Sequence, residues 1–491
     1  MKRRNGYLTA LLVVVLWAGP GGSAAMMVQQ DPEAGTAALG GSPGPVADLD
    51  GDGLEDVIVA GDELDGLARG PLVQGFKGNG TQLAFGAVGS DFTGAQHLVA
   101  DLNGVAGGEI AVLKYRMSDG AWLLDVRNSA GTVTTQIGVS GPGFYGAQLF
   151  PINLSAFAGT EIGVGFVRGT DAAAFYAIFR LSGGALVLHQ IRNVLLDDRR
   201  DHFFAAGDFN DDGNEDVFVG GIRDNGVADV RIWNTAGAGS LLVAVGILPG
   251  AFADHHWLVG QFTGINDPSD VTTGPTEFAI LFRRESDNAK VLQVYDATAT
   301  ATHTGVVLNS AWGQVTMLPL HIGGTGGTAD CCPEIFIGSI RNSDQVALGQ
   351  VWDPSIFGSF NLVSQNVLTS AAITQHDWAT GQFSGTVATS EEYAFVFQEE
   401  AVPGRIGQGI RTGSTGALVG QKFVLGCCYL APRVSPVMGW AAGRFDVLIV
   451  AHDNQLVGER PVAVANTAAG ANLFSKFVLT EGMLSDPKPR R

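Results

Sequence analysis

The chain has 491 residues and carries 29 Lys and Arg against 48 Asp and Glu, which gives a formal net charge of −19. A charge of this sign disfavours nucleic acid and anionic membrane surfaces as partners. Only 16% of the residues are charged and 69 are glycine. With few helical periodicities as well, the composition predicts a turn-rich all-β protein.

The N-terminus is typical of an export signal. A basic segment at 2–4 precedes an apolar run at 8–17 and a small-residue site at 23–25. The apolar run is shorter than the roughly 20 residues of a membrane-spanning helix, so an uncleaved anchor is the less favoured alternative. We expect residues 1–25 to be a signal peptide and 26–44 a flexible lead-in. The mature protein is then secreted or held at the cell surface, periplasmic or extracellular, without a membrane span.

An acidic loop at 48–56 has the composition of a calcium site. Its side-chain oxygens stand at positions 1, 3, 5 and 9, and a second copy covers 208–216. An EF-hand is excluded because position 12 is Val59 in one copy and Val219 in the other. In addition, short β-branched strands flank the loops, whereas an EF-hand needs helices.

A solvated acidic turn is the alternative interpretation of such a loop, and it is the commoner explanation of a single Asp-Gly cluster. Four carboxylates about 6 Å apart would repel by roughly 1 to 3 kcal/mol per pair, however, which favours a bound cation. Calcium is therefore the predicted cofactor. The predicted ligand set, which includes position seven of each loop, is Asp48, Asp50, Asp52, Leu54, Asp56, Asp208, Asn210, Asp212, Asn214 and Asp216.

The strand after the acidic loop recurs every 52 to 61 residues, whether or not the acidic residues recur with it. Its copies begin at Val57, Ile110, Ile162, Val217, Phe278, Ile335, Tyr393 and Val447. A small-residue strand precedes most copies and further strand patterns follow downstream, which matches the four antiparallel strands of a propeller blade. We predict an eight-bladed β-propeller over 45–480 and a solvated tail at 481–491, with seven blades and a distorted end unit as the alternative.

The pattern Asp-x-Asp-Gly-Asp-Gly-x-x-Asp after a small-residue strand resembles the FG-GAP or VCBS repeats of integrin-α-type propellers and secreted bacterial proteins. The match is strong at 48–56 and 208–216, and only the strand skeleton is kept elsewhere. The resemblance implies calcium between the first and second strands of a blade, and a role in adhesion or carbohydrate binding. The loop 101–109 keeps only positions 1, 3 and 9, so its site is incomplete.

The cysteines occur as two adjacent pairs, Cys331-Cys332 and Cys427-Cys428, in a chain expected to meet an oxidising compartment. Successive propeller loops alternate between the two faces, so the pairs should lie too far apart for the Cα separation of about 7 Å that a disulfide allows. We predict a vicinal disulfide within each pair. Free thiols, or one cross-link between neighbouring blades, are the alternatives.

Three units carry a histidine six residues before the loop, namely His202, His255 and His376. Equivalent positions of a propeller surround one channel, so these side chains are candidates for a polar rim that binds a ligand or a metal. The alternative is that each is satisfied within its own blade. Tryptophans four residues before the loop are predicted to pack between blades, and these are Trp257, Trp378 and Trp440.

The sequence contains no G-x-S-x-G, H-E-x-x-H or phosphate-binding P-loop motif. We therefore predict a binding or adhesion module for an extracellular protein or glycan, and no catalytic residue. The alternative is a carbohydrate-active enzyme, a glycoside hydrolase or polysaccharide lyase, that uses carboxylates and histidines at the channel mouth.

Overall fold

The computed structural model describes residues 91–425 with gaps, and eight strand segments outside that range. The gaps are 106–107, 158, 196–198, 224–225, 237–238, 249–251, 263–274, 321–332, 355–359, 369–371, 382–391 and 401–405. Outside 91–419, only the backbone is described. The predicted leader, the tail and both cysteine pairs lie outside the described residues.

Every regular element in the described part of the chain is a β-strand, which confirms the predicted all-β class. The N-terminal strands are β1 (Ser42–Pro43), β2 (Val57–Gly61), β3 (Leu72–Phe76) and β4 (Gln82–Ala87), which pair side by side in this order. No helix in the described residues has the length and apolar composition needed to cross a membrane.

Six four-stranded antiparallel sheets follow, each with its strands in chain order. Sheet A consists of β5 (Phe92–Ala100), β6 (Glu109–Arg116), β7 (Ala121–Arg127) and β8 (Val133–Ser140). Sheet B consists of β9 (Phe144–Ile152), β10 (Glu161–Arg168), β11 (Ala174–Ser182) and β12 (Ala185–Leu195). Sheet C consists of β13 (Arg199–Gly207), β14 (Asp216–Arg223), β15 (Ala228–Trp233) and β16 (Leu241–Leu248).

The remaining three sheets repeat this arrangement. Sheet D consists of β17 (Phe252–Gly260), β18 (Glu277–Arg284), β19 (Lys290–Tyr295) and β20 (Ala301–Leu308). Sheet E consists of β21 (Trp312–Leu320), β22 (Glu334–Arg341), β23 (Ala347–Asp353) and β24 (Asn361–Val367). Sheet F consists of β25 (Ile373–Gly381), β26 (Glu392–Glu399), β27 (Ile406–Thr412) and β28 (Leu418–Leu425). The C-terminal strands β29 (Tyr429–Ala441), β30 (Arg444–Asp453), β31 (Arg460–Asn466) and β32 (Asn472–Val478) pair in the same way.

The predicted repeat of the second strand is confirmed in all six sheets. The observed second strands begin at Glu109, Glu161, Asp216, Glu277, Glu334 and Glu392, each one residue before the predicted apolar start. These strands are long apolar runs because they are covered on both faces. In β14, for example, seven of eight residues are buried. Hydrophobic alternation between an inner and an outer face is therefore weak in this part of the sheet.

The first strands of successive sheets are neighbours, since β5 contacts β9, β9 contacts β13, and the series continues through β17 and β21 to β25. The fourth strand of each sheet is its far edge. Sheets that are arranged radially, with their first strands innermost, have the architecture of a β-propeller.

Large side chains on the innermost strands fill glycine recesses in the preceding sheet. A Cβ added to Gly220 would lie 3.0 Å from the Trp257 ring, and one added to Gly338 would lie 2.5 Å from the Trp378 ring. Trp257 is 0% exposed and Trp378 is 1% exposed. The predicted packing role of these two tryptophans is confirmed, whereas the side chain of Trp440 lies outside the described part.

Candidate functional site

An acidic residue opens the second strand of all six sheets, and we call it the closing carboxylate. The six are Glu109, Glu161, Asp216, Glu277, Glu334 and Glu392. In four sheets this carboxylate accepts a hydrogen bond from the backbone N–H of the second loop residue. The N–H groups and distances are Leu102 at 3.0 Å, Leu154 at 3.0 Å, Phe209 at 3.1 Å and Phe262 at 2.7 Å.

The presence of an acid at this position can be explained without a metal. The apolar side chain of the second loop residue enters the core, as shown by Phe209 at 4% and Phe262 at 0% exposure. Its backbone N–H is buried with it and needs an acceptor. Sequence reasoning interpreted position nine only as a metal ligand. The sequence does contain a signal for its role as a hydrogen-bond acceptor, because this acid is kept even in units that have lost the other predicted ligands.

Backbone hydrogen bonds tie these loops together between neighbouring sheets. The N–H of Thr160 in sheet B donates to the carbonyl of Asp101 in sheet A at 2.7 Å. The corresponding bond from Thr276 in sheet D to Asp208 in sheet C is also 2.7 Å. Backbone hydrogen bonds therefore connect the end of the first strand in sheets A and C to the start of the second strand in the next sheet.

The loop 208–216 in sheet C is the predicted calcium loop that the structure describes. The Asp208 carboxylate accepts the N–H of Asp212 at 3.1 Å and of Gly213 at 2.8 Å, and the Asn210 side-chain oxygen accepts the N–H of Asp212 at 3.0 Å. Asp211 has φ 57° and Gly213 has φ 81°, which turn the chain back on itself.

Asp212 and Asn214 link this loop to its surroundings. The Asp212 carboxylate accepts the N–H of Asn214 at 2.9 Å and the side-chain amide of Asn234 at 3.1 Å. Partial burial acts to raise the pKa of Asp212, but hydrogen bonds from the Asn side chains around it outweigh that effect and lower the pKa. The Asn214 side-chain oxygen accepts the hydroxyl of Ser155 in sheet B at 2.8 Å.

Asp216 is the one predicted ligand in this loop with an unsatisfied oxygen. Its Oδ2 accepts the Phe209 N–H, whereas its Oδ1 is buried and makes no hydrogen bond of normal geometry. The backbone N–H of Thr235 acts on this carboxylate only weakly, in the direction that lowers its pKa. Burial, followed by the negative charges of Asp212 and Asp208, raises the pKa of Asp216 to about 7. A buried carboxylate beside two others is costly to ionise unless a cation joins them.

Two further buried carboxylates lie at the boundary of sheets B and C. Glu215 accepts the N–H of Asn153 at 2.6 Å, and burial together with the charges of Asp208 and Glu161 raises the pKa of Glu215 to about 8. Burial likewise raises the pKa of Glu161 to about 7. Three carboxyl groups that resist ionisation, those of Glu161, Glu215 and Asp216, therefore lie in or beside the 208–216 loop.

The donor set of this loop fits calcium in its chemistry, because all the donors are hard oxygens. Among the described residues, no three His, Cys, Asp or Glu side chains already converge as a metal-binding group. Asp208 and Asp212 point instead at backbone and amide N–H groups. A carboxylate has about four lone-pair sites, so these bonds leave each of them further acceptor capacity. The first predicted loop, Asp48 to Asp56, lies outside the described residues.

Hydrogen bonds among its described residues close the incomplete loop 101–109 in sheet A. Asp101 Oδ1 accepts the N–H of Gly104 at 2.6 Å and of Val105 at 3.1 Å. The Asn103 amide donates to one oxygen of Glu109, and the Leu102 N–H donates to the other. Both oxygens of this closing carboxylate are thus satisfied.

The three predicted rim histidines lie beside aromatic rings of their own strands. Ring centroids are 6.4 Å apart for His202 and Phe204, 6.2 Å for His255 and Trp257, and 6.1 Å for His376 and Trp378. His202 is buried and the other two are half-buried. This placement agrees with the alternative that each histidine is accommodated within its own blade.

Sequence reasoning missed a repeated Arg-x-x-Asp pair at the hairpin between second and third strands, at the opposite end of the strands. The arginine Nε and Nη2 donate to the two oxygens of one carboxylate in sheets A, B, D and E. The pairs are Arg116–Asp119, Arg168–Asp171, Arg284–Asp287 and Arg341–Asp344. The spacing recurs with the strand repeat, and that recurrence was the available signal. These pairs fix hairpins and leave the carboxylates occupied.

No family model matches the sequence, and no curated protein matches it. Solved structures do resemble the fold. The exotype rhamnogalacturonan lyase YesX aligns with 94% of this chain and 76% of its own at TM-score 0.51 and 13% identity. A Bacillus licheniformis rhamnogalacturonan lyase aligns with 95% of this chain and 76% of its own at TM-score 0.47 and 14% identity. The WD40 domain of fission yeast SCAP aligns with 85% of this chain and 90% of its own at TM-score 0.46 and 8% identity. At these identities the likeness concerns the fold alone, and it is β-propeller-like.

Proposed function

We propose that the chain is an exported, calcium-stabilised β-propeller of eight FG-GAP/VCBS-like blades that binds an extracellular glycan or protein. The observation that carries the calcium part is the buried Asp216 Oδ1, which has no hydrogen-bond partner and lies near two further carboxylates. A divalent cation supplies the missing charge and the missing partner at once.

The count of eight blades is supported by the terminal strands. Strands β1–β4 and β29–β32 each pair in the same order as the six sheets between them. Strand β2 contacts β5, β25 contacts β29, and β1 contacts β29. These contacts connect the two ends of the chain to the series of first strands and to each other, as a closed ring requires.

Calcium in this proposal is structural. Asp208, Asp212 and Asp216 would supply charge and Asn210 a neutral oxygen, while Asn214 completes the predicted set. A bound ion at these residues cancels their repulsion and fixes the turn between β13 and β14. The loop Asp48 to Asp56, near the N-terminal end of the chain, is proposed to bind calcium in the same way.

A binding role is favoured over catalysis because the acids with raised pKa values have a structural explanation. Raised pKa values often mark catalytic acids. Here Glu161, Glu215 and Asp216 are buried against the loops whose N–H groups they accept. In addition, a net charge of −19 disfavours a polyanionic substrate.

The second candidate is a polysaccharide lyase on the same scaffold. The observation in its favour is the fold similarity to a rhamnogalacturonan lyase over 94% of this chain. Fold similarity alone is weak support for an activity. The two candidates therefore need a direct test.

Calorimetric titration of calcium into the chelator-stripped mature chain tests the metal sites. We expect two sites in the wild type and one in Asp208→Ala. Asp101→Ala, the same substitution in the loop that is already closed, serves as the control and should keep both. Absence of calcium binding, or equal loss in the two variants, would contradict the proposal.

A glycan array and a product assay on the same preparation separate binding from cleavage. The proposal predicts array signals without release of reducing or unsaturated ends from rhamnogalacturonan. Release of unsaturated ends that scales with enzyme concentration would replace the binding module with the lyase.

A further inference from the structure

Two arginines of sheet B have no ion pair, although the chain carries a net charge of −19. Most arginines whose side chains are described lie within 4.0 Å of an Asp oxygen, as in the pair Arg341–Asp344. Arg180 and Arg192 have no carboxylate oxygen within that distance among the described residues. Their Nε atoms are also buried without a hydrogen-bond partner. Two positive charges at this place are therefore not balanced by a direct contact.

Strands β11 and β12 place these arginines on the face of sheet B that packs against sheet C. Tyr176 pairs with Arg192 across the two strands, and Ile178 pairs with Gln190. Cross-strand partners share a face, and so do residues two apart along one strand, such as Ile178 and Arg180. Tyr176 and Ile178 belong to the hydrophobic cluster that includes the core of sheet C. The arginines and Gln190 therefore lie at the boundary of sheets B and C.

Gln190 and Arg192 converge on Gly239, in the turn before β16 of sheet C. A Cβ added to Gly239 would lie within 3.0 Å of Gln190 Nε2 and of Nε and Nη2 of Arg192, so these donors surround one point. Both amide atoms of Gln190 are buried without a hydrogen-bond partner. Each of the two side chains is only partly buried as a whole, so part of each remains at the surface.

The hydroxyl of Tyr176 lies beside Arg192 and cannot balance its charge. Burial raises the pKa of Tyr176, and the guanidinium of Arg192 opposes that shift only in part. The hydroxyl is therefore uncharged at neutral pH. The charge of Asp216 also acts on Tyr176, which places this group of residues near the 208–216 loop.

Aromatic side chains flank the polar groups. The Arg180 guanidinium carbon lies 4.4 Å from the centroid of the Phe157 ring. Phe157 in turn packs edge-on against His189, the neighbour of Gln190 in the chain, with ring centroids 5.2 Å apart. On sheet C, Trp233 packs against the same hydrophobic cluster, and its Nε1 is buried without a hydrogen-bond partner. Aromatic surface combined with a few polar groups is typical of a small-ligand site.

Equivalent boundaries use their polar groups internally. Between sheets A and B, the N–H of Leu186 donates to the hydroxyl of Thr135 at 3.2 Å. Between sheets E and F, the hydroxyl of Ser364 donates to the carbonyl of Gly413 at 2.7 Å. The B–C boundary differs because Gln190 and the Arg192 Nε have donors or acceptors to spare.

We propose that Arg192 and Gln190, with Arg180 nearby, bind the acidic group and a hydroxyl of one acidic sugar in a glycan. This inference rests on the glycan-binding role proposed above. A guanidinium binds a carboxylate or sulfate through two parallel hydrogen bonds. Gln190 offers a donor and an acceptor, and a sugar hydroxyl can pair with its acceptor whereas an inorganic anion has no proton to donate. The net charge of −19 disfavours a densely charged chain, so a single acidic residue among neutral ones fits best.

Calorimetric titration with three forms of one oligosaccharide tests the ligand class. The forms carry one uronic acid, the same residue reduced to a neutral sugar, or a sulfate ester on the reduced residue. We expect the mature chain in saturating calcium to bind at least one acidic form at least about tenfold more tightly than the neutral form. This advantage should shrink as salt is added. The two acidic forms distinguish carboxylate from sulfate.

Substitution tests the assignment to Arg192. Arg192→Met should reduce the affinity for the acidic form to that for the neutral form, and Arg192→Lys, which keeps the charge but not the planar fork, should restore part of the difference. Arg411→Met is the matched control at the E–F boundary, because Arg411 donates to the carbonyl of Gly416 at 2.8 Å. It should leave both affinities unchanged. Thermal melting establishes that each variant is folded.

The possible failures have different meanings. Equal affinity of the wild type for the neutral and acidic forms would overturn this inference and leave the glycan-binding role intact. Equal weakening by Arg192→Met and Arg411→Met would overturn the assignment to the B–C boundary. If no glycan binds, and a short poly-Glu peptide binds only when Arg192 is present, the site belongs to a protein partner and the acidic sugar is rejected.

Discussion

The loops 101–109 and 208–216 occupy the same position in sheets A and C, yet they are stabilised differently. In both, the closing carboxylate accepts the N–H of the second loop residue, at 3.0 Å in one and 3.1 Å in the other. In sheet A, the Asn103 amide satisfies the second oxygen of Glu109. In sheet C, the second oxygen of Asp216 has no partner.

The difference agrees with our proposal that one acidic position serves two purposes in this repeat. Its first purpose is to accept a buried N–H, as it does in sheets A, B, C and D. Its second purpose, which we propose to be cation binding, requires further carboxylates around it. The charges of Asp208 and Asp212 contribute to the raised pKa of Asp216. The loop of sheet A lacks a carboxylate at position 5, where Val105 stands.

Removal of a carboxylate from the sheet C loop should have the largest effect on this comparison. We expect Asp212→Ala to reduce the calcium-dependent gain in unfolding free energy by about 3 kcal/mol at calcium concentrations far above the dissociation constant. Without calcium the variant should lose a smaller amount of stability, because the hydrogen bonds that the Asp212 carboxylate accepts from Asn214 and Asn234 are gone. Thermal melts in calcium and in EGTA measure both values. Asp101→Ala is the control, and an equal reduction there would erase the distinction between the loops.

The next effect concerns a closing carboxylate outside the predicted calcium loops. Burial raises the pKa of Glu161 from an ordinary value of about 4.5 to about 7. Between these values the unfolded chain binds fewer protons than the folded chain, so this residue makes stability fall as pH rises. Glu161→Gln keeps an acceptor for the Leu154 N–H and cannot ionise. It should exceed the wild type in stability by about 2 kcal/mol near pH 8 and match it near pH 4.

The matched control for this pH effect is Glu109→Gln, because Glu109 is half-buried whereas Glu161 is 2% exposed. Urea unfolding at a series of pH values gives the two difference curves. The Glu109 curve should be the shallower one. If the unfolding free energies of Glu161→Gln and the wild type depend on pH in the same way, burial does not control the ionisation of Glu161.

A calcium site added to the sheet A loop should change the stability by a smaller amount. Val105 is 64% exposed, so Val105→Asp adds the missing carboxylate without loss of core packing. We expect a weak additional calcium site and about 1 kcal/mol of extra stability in saturating calcium, since Asn103 must first leave Glu109. Calcium titration against Val105→Asn isolates the role of charge. If the two variants bind alike, the carboxylate at position 5 does not explain the difference between the loops.

The smallest effect should come from the contact between the sheet C loop and sheet B. Ser155→Ala removes the hydroxyl bond to Asn214 and should cost about 0.5 to 1 kcal/mol while weakening the calcium response. Ser118→Ala, which removes a hydroxyl bond to Asp91 at a hairpin, is a control for the loss of one exposed bond. Melting with and without calcium distinguishes them, and only Ser155→Ala should alter the difference.

Much of the fold could be predicted because it depends on local patterns. The second strands begin one residue before their predicted positions, as at Glu161 and Asp216, since a buried apolar run is visible in the sequence itself. The packing of Trp257 and Trp378 followed from their repeated place before the loop. The Arg168–Asp171 type of pair was equally local but was overlooked.

The candidate site was predictable only in part. The sequence identified the oxygen-rich residues of 208–216 and the incomplete set in 101–109. It gave no indication that Asn103 would donate to Glu109, or that Asp216 would keep one oxygen without a partner. These depend on side-chain direction and burial, which residue spacing does not specify. Likewise, the three histidines share a position, but their surroundings are set by the aromatic rings beside them.

The repeat, the strand order within each unit and the residues available to a cation can all be predicted from the sequence, because hydrophobic periodicity and ligand chemistry are properties of short segments. The burial of these carboxylates and the N–H groups that they accept depend instead on how the sheets pack together. Those properties arise when neighbouring sheets remove water from one side chain and leave another exposed, and no short segment contains that information.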